Sequence, residues 1–374
     1  LAASPSGSVM RFFVFFGLLL AGCSQLKSVH APVREKKFFH VRWAKNLDFN
    51  YIPGNLPMTY GGVTSSQDVL YVGALDGSFR AVDEENGREL WRFTENKSIA
   101  APALVHGEEV YYGTQGGRLV VRQAVSGELK YAIDLGAPIE SAPVIHEGRL
   151  IIYLRGHQIV CLDSATGKVI WNYRRAVPVT VTLQRTTRPL VIGNKIIVGF
   201  ADGFAGALSL QEGTLLWEQK LVDTQKFVDI DLNPVLVDNL VVTGSPSGQL
   251  RALDPQDGSI RRQYDIGALS NPLVRGQTLV FGTAHGEVVF LGGDGKVMKE
   301  SRVSKHAVNQ LWWWKDHIVA STFGGELLAV DPLTLKVIAK FPLGHGQSAI
   351  FGDAAQDSQG LGLLTTRSRL FFFE

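Results

Sequence analysis

Apolar residues in this chain come in short bursts divided by polar turns, and the bursts recur. Residues 151–171, IIYLRGHQIVCLDSATGKVIW, show the unit. Ile151, Ile152 and Tyr153 read as one strand, Ile159 to Leu162 as a second, and Val169, Ile170 and Trp171 open a third. The turn between the last two begins with Asp163, whose side chain can cap it, and ends with Gly167, which takes positive φ at no steric cost. The same turn returns with its glycine, or the residue in that place, at positions 87, 127, 167, 213, 258, 295 and 335. The steps are 40, 40, 46, 45, 37 and 40 residues, and the last copy carries Leu335 where the others have glycine. Two further features keep the same period: glycine-flanked turns such as 199–203 and 282–286, and a proline ahead of each unit at 102, 143, 189, 234 and 272.

Each unit therefore reads as four short antiparallel strands. A period near 40 residues without a 3.6-residue apolar rhythm predicts an all-β chain, an eight-bladed β-propeller of four-stranded antiparallel blades. The ends set the blade count. After Leu343 the strand-like segments are 349–352, 361–365 and 369–373, with no fourth. Residues 41–47 resemble an outer strand with no blade before it, so this N-terminal strand is expected to complete the last blade and remove a sheet edge. Trp43, Trp91, Trp171 and Trp217 fall on outer strands and are expected to pack between blades. Trp312 to Trp314 are expected to do the same, with Trp313 on the opposite face from its neighbours.

Composition agrees with this reading: 40 glycines, 45% hydrophobic residues and a net charge of +2 in 374 residues. The basic residues are dispersed, so nothing calls for a nucleic-acid partner. The N-terminus has a separate logic. Met10 and Arg11 precede the apolar run 12–22, too short for a comfortable membrane span and shaped as a secretory signal. Leu20, Ala21, Gly22 and Cys23 look like a lipobox with Cys23 as the lipidated residue. The expected organisation is a signal peptide over 1–22 (with 1–9 as an upstream extension), a lipidated cysteine and flexible tether over 23–37, and one propeller over 38–374. The second cysteine, Cys161, sits in an apolar strand and reads as a core residue.

No catalytic constellation stands out. The nine histidines form no metal-ligand spacing, and there is no nucleophile elbow, P-loop or dinucleotide fingerprint. Asp229 and Asp231 could share one face and bind a hard cation, but no acidic cluster adjoins them. His345 between two glycines reads as a loop residue. The reading is no catalysis, no cofactor and no metal.

The informative irregularity is length. From Trp91 to Pro102 is 11 residues and from Tyr131 to Pro143 is 12, whereas Trp171 to Pro189 is 18 and Trp217 to Pro234 is 17. Two successive inter-blade connections are thus extended, and they should lie side by side on one rim. The first carries Arg174, Arg175, Arg185 and Arg188 among Val179, Val181 and Leu183; the second carries Asp223, Asp229 and Asp231. Long loops on a rigid scaffold commonly hold binding residues, and apolar side chains beside opposite charges suit a protein partner.

Together these features resemble the BamB family, the propeller lipoproteins of the outer-membrane β-barrel assembly (BAM) machinery. The blade turn alone is shared with pyrroloquinoline-quinone dehydrogenases; the two long connections are the specific match. The family pattern has Leu-x-Leu-Arg before one blade's proline and Asp-x-Asp before the next. Here the first is Val181, Thr182, Leu183, Gln184, with Arg185 one residue late, and the second is Asp229, Ile230, Asp231. The resemblance implies a non-catalytic scaffold held by lipid at the periplasmic face of the outer membrane of a Gram-negative bacterium. Val181, Leu183, Gln184, Arg185, Asp229 and Asp231 would contact a POTRA domain of the barrel-forming subunit BamA. Other lipoproteins of the complex and unfolded outer-membrane proteins are further implied partners. Two other readings stay open: a quinoprotein-like dehydrogenase with quinone and Ca²⁺ at the axis, and a propeller binding cell-wall glycan or another periplasmic partner.

Overall fold

The turn acids organise the hairpins. Asp163 Oδ1 accepts hydrogen bonds from the Thr166 N–H (2.8 Å) and hydroxyl (2.7 Å), and the Gly167 N–H donates back to Asp163 O at 2.8 Å. Gly167 has φ +73°, which glycine adopts without strain. Asp83, Asp254 and Asp331 cap their turns in the same way. The computed structural model describes residues 37–47, 61–176, 186–222, 229–245, 249–344, 348–356 and 360–374.

Among these residues 32 strands form eight four-stranded antiparallel sheets. Seven are continuous in sequence. Blade 1 runs from Val63–Ser66 to Glu89–Thr94, blade 3 from Val144–His146 to Val169–Arg174, and blade 4 from Leu190–Ile192 to Leu215–Lys220. Blade 5 runs from Val235–Val237 to Ile260–Tyr264, blade 6 from Leu273–Arg275 to Val297–Arg302, and blade 7 from Val308–Trp314 to Val337–Pro342. Blade 8 is composite: Ala355–Gln356, Leu361–Leu364 and Arg369–Phe373 are completed by Val41–Asn46 as the outer strand. The Glu374 N–H donates to His40 O at 3.0 Å and the Leu47 N–H to Ser368 O at 2.8 Å, fastening both ends of this closing strand.

Two central strands of a blade are buried on both faces, as in Ile151, Ile152, Val160 and Cys161 of blade 3, while the outer strands alternate with solvent. That is why the central strands read as unbroken apolar runs. Eight buried clusters fill the ring, each shared by two neighbouring blades. The cluster of Val63, Leu70 and Val72 with Leu364, Leu370 and Phe372 joins blade 1 to blade 8 and closes the circle.

A repeated latch fixes seven of these joints. The donor on one outer strand reaches a carbonyl in the next blade's hairpin turn: Trp43 to Glu84 O (2.8 Å), Trp91 to Ala124 O (3.0 Å), Tyr131 to Ser164 O (2.8 Å), Trp171 to Leu210 O (3.0 Å) and Trp217 to Pro255 O (3.1 Å). In the next two joints Arg262 donates to Gly293 O and Lys299 to Pro332 O. The aromatic rings also explain the turn glycines: a Cβ on Gly213 would lie 2.4 Å from the Trp171 ring, and one on Gly258 2.4 Å from Trp217. Where the donor is the slender Lys299, the facing turn carries Leu335 instead. Leu335 keeps φ +55° and is buried in the joint between blades 6 and 7.

Trp312 and Trp314 pack into the joint between blades 7 and 8, whereas Trp313 turns to the other face and lies under the Arg275 guanidinium at 4.6 Å. Cys161 is a free, fully buried thiol, and burial raises its pKa, which suits a core role. One expectation is corrected. The inner strand of blade 8 is Ala355–Gln356, not 349–352. Ala349 bonds to Thr366 in a turn of blade 8, while Ile350 reaches blade 7, where its N–H donates to Ser321 Oγ and its carbonyl accepts from Asn309. Gly352 lies so close to Gly61 that a Cβ there would sit 2.3 Å from the Gly61 carbonyl oxygen.

Candidate functional site

The connections from outer to inner strands share one rim, and the structure ties together the roots of the two long ones. Arg175, directly after the outer strand of blade 3, donates from Nε to Asp202 at 2.7 Å and from Nη1 to Glu218 on the outer strand of blade 4. The guanidinium also packs over the rings of Phe200 (4.8 Å) and Phe204 (4.9 Å). Burial works against its charge, but the hydrogen bonds it donates to Glu218 and Asp202 prevail and hold its pKa above the ordinary value. At the inner ends, the Arg188 N–H donates to Asn233 Oδ1 at 2.7 Å, joining the residue before Pro189 to the residue before Pro234. The first long connection is thus pinned at both of its described ends, to blade 4 through Arg175 and to the second connection through Arg188.

Asp229, Ile230 and Asp231 close the second connection. The Ile230 N–H donates to Phe200 O at 3.0 Å, and its side chain occupies the space beside Gly199, where a Cβ would lie 2.3 Å from Ile230 O. Asp229 is 4% exposed, and its charge is felt by Tyr153 and His157 of blade 3. Asp231 is half-buried and lines the axial cavity. The two carboxylates therefore stand in different surroundings. Among the described residues no group of three or more His, Cys, Asp or Glu converges as a metal site. Val181, Leu183, Gln184 and Arg185 lie outside the described residues, as do Cys23, Asp223 and His345.

His157 is buried beside this cluster with φ +62°. Burial lowers its pKa and the Arg175 charge adds to this, while Asp202 and Asp229 partly offset it.

The same rim opens on a cavity of about 380 Å³ at the propeller axis, a feature the sequence reading missed. It is lined by residues that precede the inner strands, among them Arg188, Asn233, Asn271 and Asp353, and by Asn309 at the start of the inner strand of blade 7. The Asn233 N–H donates to Asn271 Oδ1 at 2.9 Å, continuing the tie that begins at Arg188. A signal was present: Asn233 and Asn271 both stand immediately before a unit proline.

The family model for the outer membrane protein assembly factor BamB matches residues 75–291, more than half of the chain. The chain belongs to the BamB family. Among curated members, BamB of Yersinia pestis is 24% identical over 238 residues, 59% of this chain and 60% of that protein. BamB of Escherichia coli strain K12 is 23% identical over 248 residues, 62% and 63% of the two chains. The chain thus spans about three fifths of the length of these BamB relatives. Among solved structures, BamB from Moraxella catarrhalis superposes with TM-score 0.75 at 17% identity, over 90% of this chain and 99% of that one. A quinohemoprotein alcohol dehydrogenase from Pseudomonas putida superposes with TM-score 0.68 at 10% identity, over 90% of this chain and 76% of that one. At these identities the superpositions establish the propeller, and the BamB assignment rests on the sequence family.

Proposed function

We propose that this chain is a non-catalytic scaffold of the outer-membrane β-barrel assembly machinery that holds the barrel-forming subunit on the rim of its two long connections. The observation that carries this reading is the pinning of both connections at their roots, by Arg175 to Glu218 and by Arg188 to Asn233. Membership of the BamB family supports the choice of partner, since the relatives are named as assembly factors for outer membrane proteins.

On this reading Val181 and Leu183 supply apolar anchors, Gln184 and Arg185 the polar edge, and Asp231 the acidic contact to a POTRA domain. Asp229, being buried, shapes the backbone around Ile230 and tunes the local field. Cys23 carries the lipid and residues 24–37 the tether, which places the propeller at the periplasmic face of the outer membrane, within reach of the other lipoproteins of the complex and of unfolded barrel substrates. Co-purification from solubilised outer membranes tests the reading. Serine at Val181 and Leu183 together is expected to lose the barrel-forming subunit while the protein stays folded and membrane-bound. Undiminished recovery of that subunit would sink the site assignment.

A further inference from the structure

We propose that the axial cavity is a binding site for a small neutral polyhydroxylated ligand, the size of one or two sugar rings. This rests on the cavity's own chemistry and not on the partner reading. At about 380 Å³ it lies within the range of small-molecule pockets, roughly 300–1,000 Å³.

Charge disfavours an anion: three carboxylates, Glu140, Asp231 and Asp353, line the cavity against two arginines. Two arginines line the cavity and each already holds a carboxylate that also lines it. Arg155 Nε donates to Glu140 Oε2 at 3.0 Å and its Nη2 to Oε1, while Arg188 Nη1 lies 3.3 Å from Asp353 Oδ2. An anion entering here would have to displace a carboxylate already paired with an arginine. What the walls offer instead is unspent neutral hydrogen bonding. Asn309 is 5% exposed; its amide nitrogen donates to Ile350 O at 2.6 Å, but its Oδ1 has no partner. The Thr186 hydroxyl, also on the lining, is buried without a partner too. A buried acceptor left unmet is unfavourable, so this amide favours a ligand that donates. A sugar hydroxyl both donates and accepts and so can serve Asn309 Oδ1 and Thr186 Oγ1 alike. Leu232, Leu269 and Phe351 on the same walls give an apolar face for ring C–H groups.

Titration calorimetry of the full chain tests this with N-acetylglucosamine and its β-1,4-linked dimer as neutral probes, and glucuronate and glucosamine as charged ones. The neutral saccharides are expected to bind, with Asn309→Leu weakening them about tenfold, the worth of one hydrogen bond. Thr186→Val, nearly equal in volume, is expected to weaken them several-fold and carries the test alone if Asn309→Leu does not fold. Absence of saccharide binding, binding unchanged in the folded variants, or tighter binding of glucuronate or glucosamine would each overturn the proposal.

Discussion

Arg188 reaches across the propeller axis to Asp353, with 3.3 Å between guanidinium and carboxylate. Arg188 precedes blade 4 and Asp353 precedes the inner strand of blade 8, so the pair joins opposite sides of an eight-bladed ring. Its side chains are 42% and 40% exposed, and such pairs are worth at most about 1 kcal/mol. The neutral neighbour matters more. Asn233→Ala leaves the Arg188 N–H without its acceptor and should cost about 1–3 kcal/mol, against less than about 1 kcal/mol for Asp353→Asn. Urea unfolding of both variants checks the order; a larger loss in Asp353→Asn would contradict it.

The Arg175 cluster should behave oppositely. Arg175 and Asp202 are only 13% and 11% exposed, so removing the cation strands a buried carboxylate. Arg175→Met is expected to cost about 2–4 kcal/mol, below the full buried-pair penalty because Glu218 remains solvated. Denaturant midpoints read this directly.

The inter-blade latch predicts a coupled pair. Lys299→Trp alone should destabilise, because Leu335 holds the place that glycine keeps open beneath Trp171 and Trp217. Leu335→Gly alone should cost about 1–3 kcal/mol, cavity formation being partly offset by relief of a leucine at positive φ. The double variant should lose at least about 1 kcal/mol less than the sum of the two, the signature of residues in one joint. Additive losses in a double-mutant cycle would refute the account of the latch.

Acid should destabilise the protein in two stages. Burial lowers the pKa of His157, so the folded state resists its protonation. The stability this represents is complete above the unfolded value, about 6.5, and drains away as pH falls towards the folded value. Asp163, Asp254 and Asp331 are also lowered, by hydrogen bonds from Thr166, Gln256 and Thr334. Their contribution is present above the ordinary carboxylate range, about 3.9, and is lost only below it. Melting temperature followed from pH 8 to 3 should therefore fall first below about 6.5 and again below about 4. His157→Asn, which tolerates positive φ, should remove the first fall and spare the second.

The blade count, the composite last blade and the role of the outer-strand tryptophans were legible in the sequence because each is repeated. A repeat lets seven weak turn signals confirm one another, and Leu335 in the glycine position was visible for the same reason. The latch itself was half visible: Trp43, Trp91, Trp171 and Trp217 stood out, but Arg262 and Lys299 in the same role did not, since they share only an N–H donor with indole. The inner strand of blade 8 was misplaced because 349–352 is apolar, yet Ile350 spends its hydrogen bonds on blade 7 and Ala349 bonds to Thr366 in a turn of blade 8. The long connections were found by their length alone. The pairs that pin them, Arg175 with Asp202 and Arg188 with Asn233, join residues 27 and 45 positions apart and follow from ring geometry that no local pattern encodes.

The central claim concerns one rim, and charge reversal isolates it. The dissociation constant of the full chain for the barrel-forming subunit should be measured with Asp231→Lys and, as a control, Asp257→Lys in a hairpin turn on the opposite rim. Asp231→Lys is expected to weaken binding about tenfold or more, and Asp257→Lys to leave it unchanged. Wild-type affinity in Asp231→Lys would contradict the account.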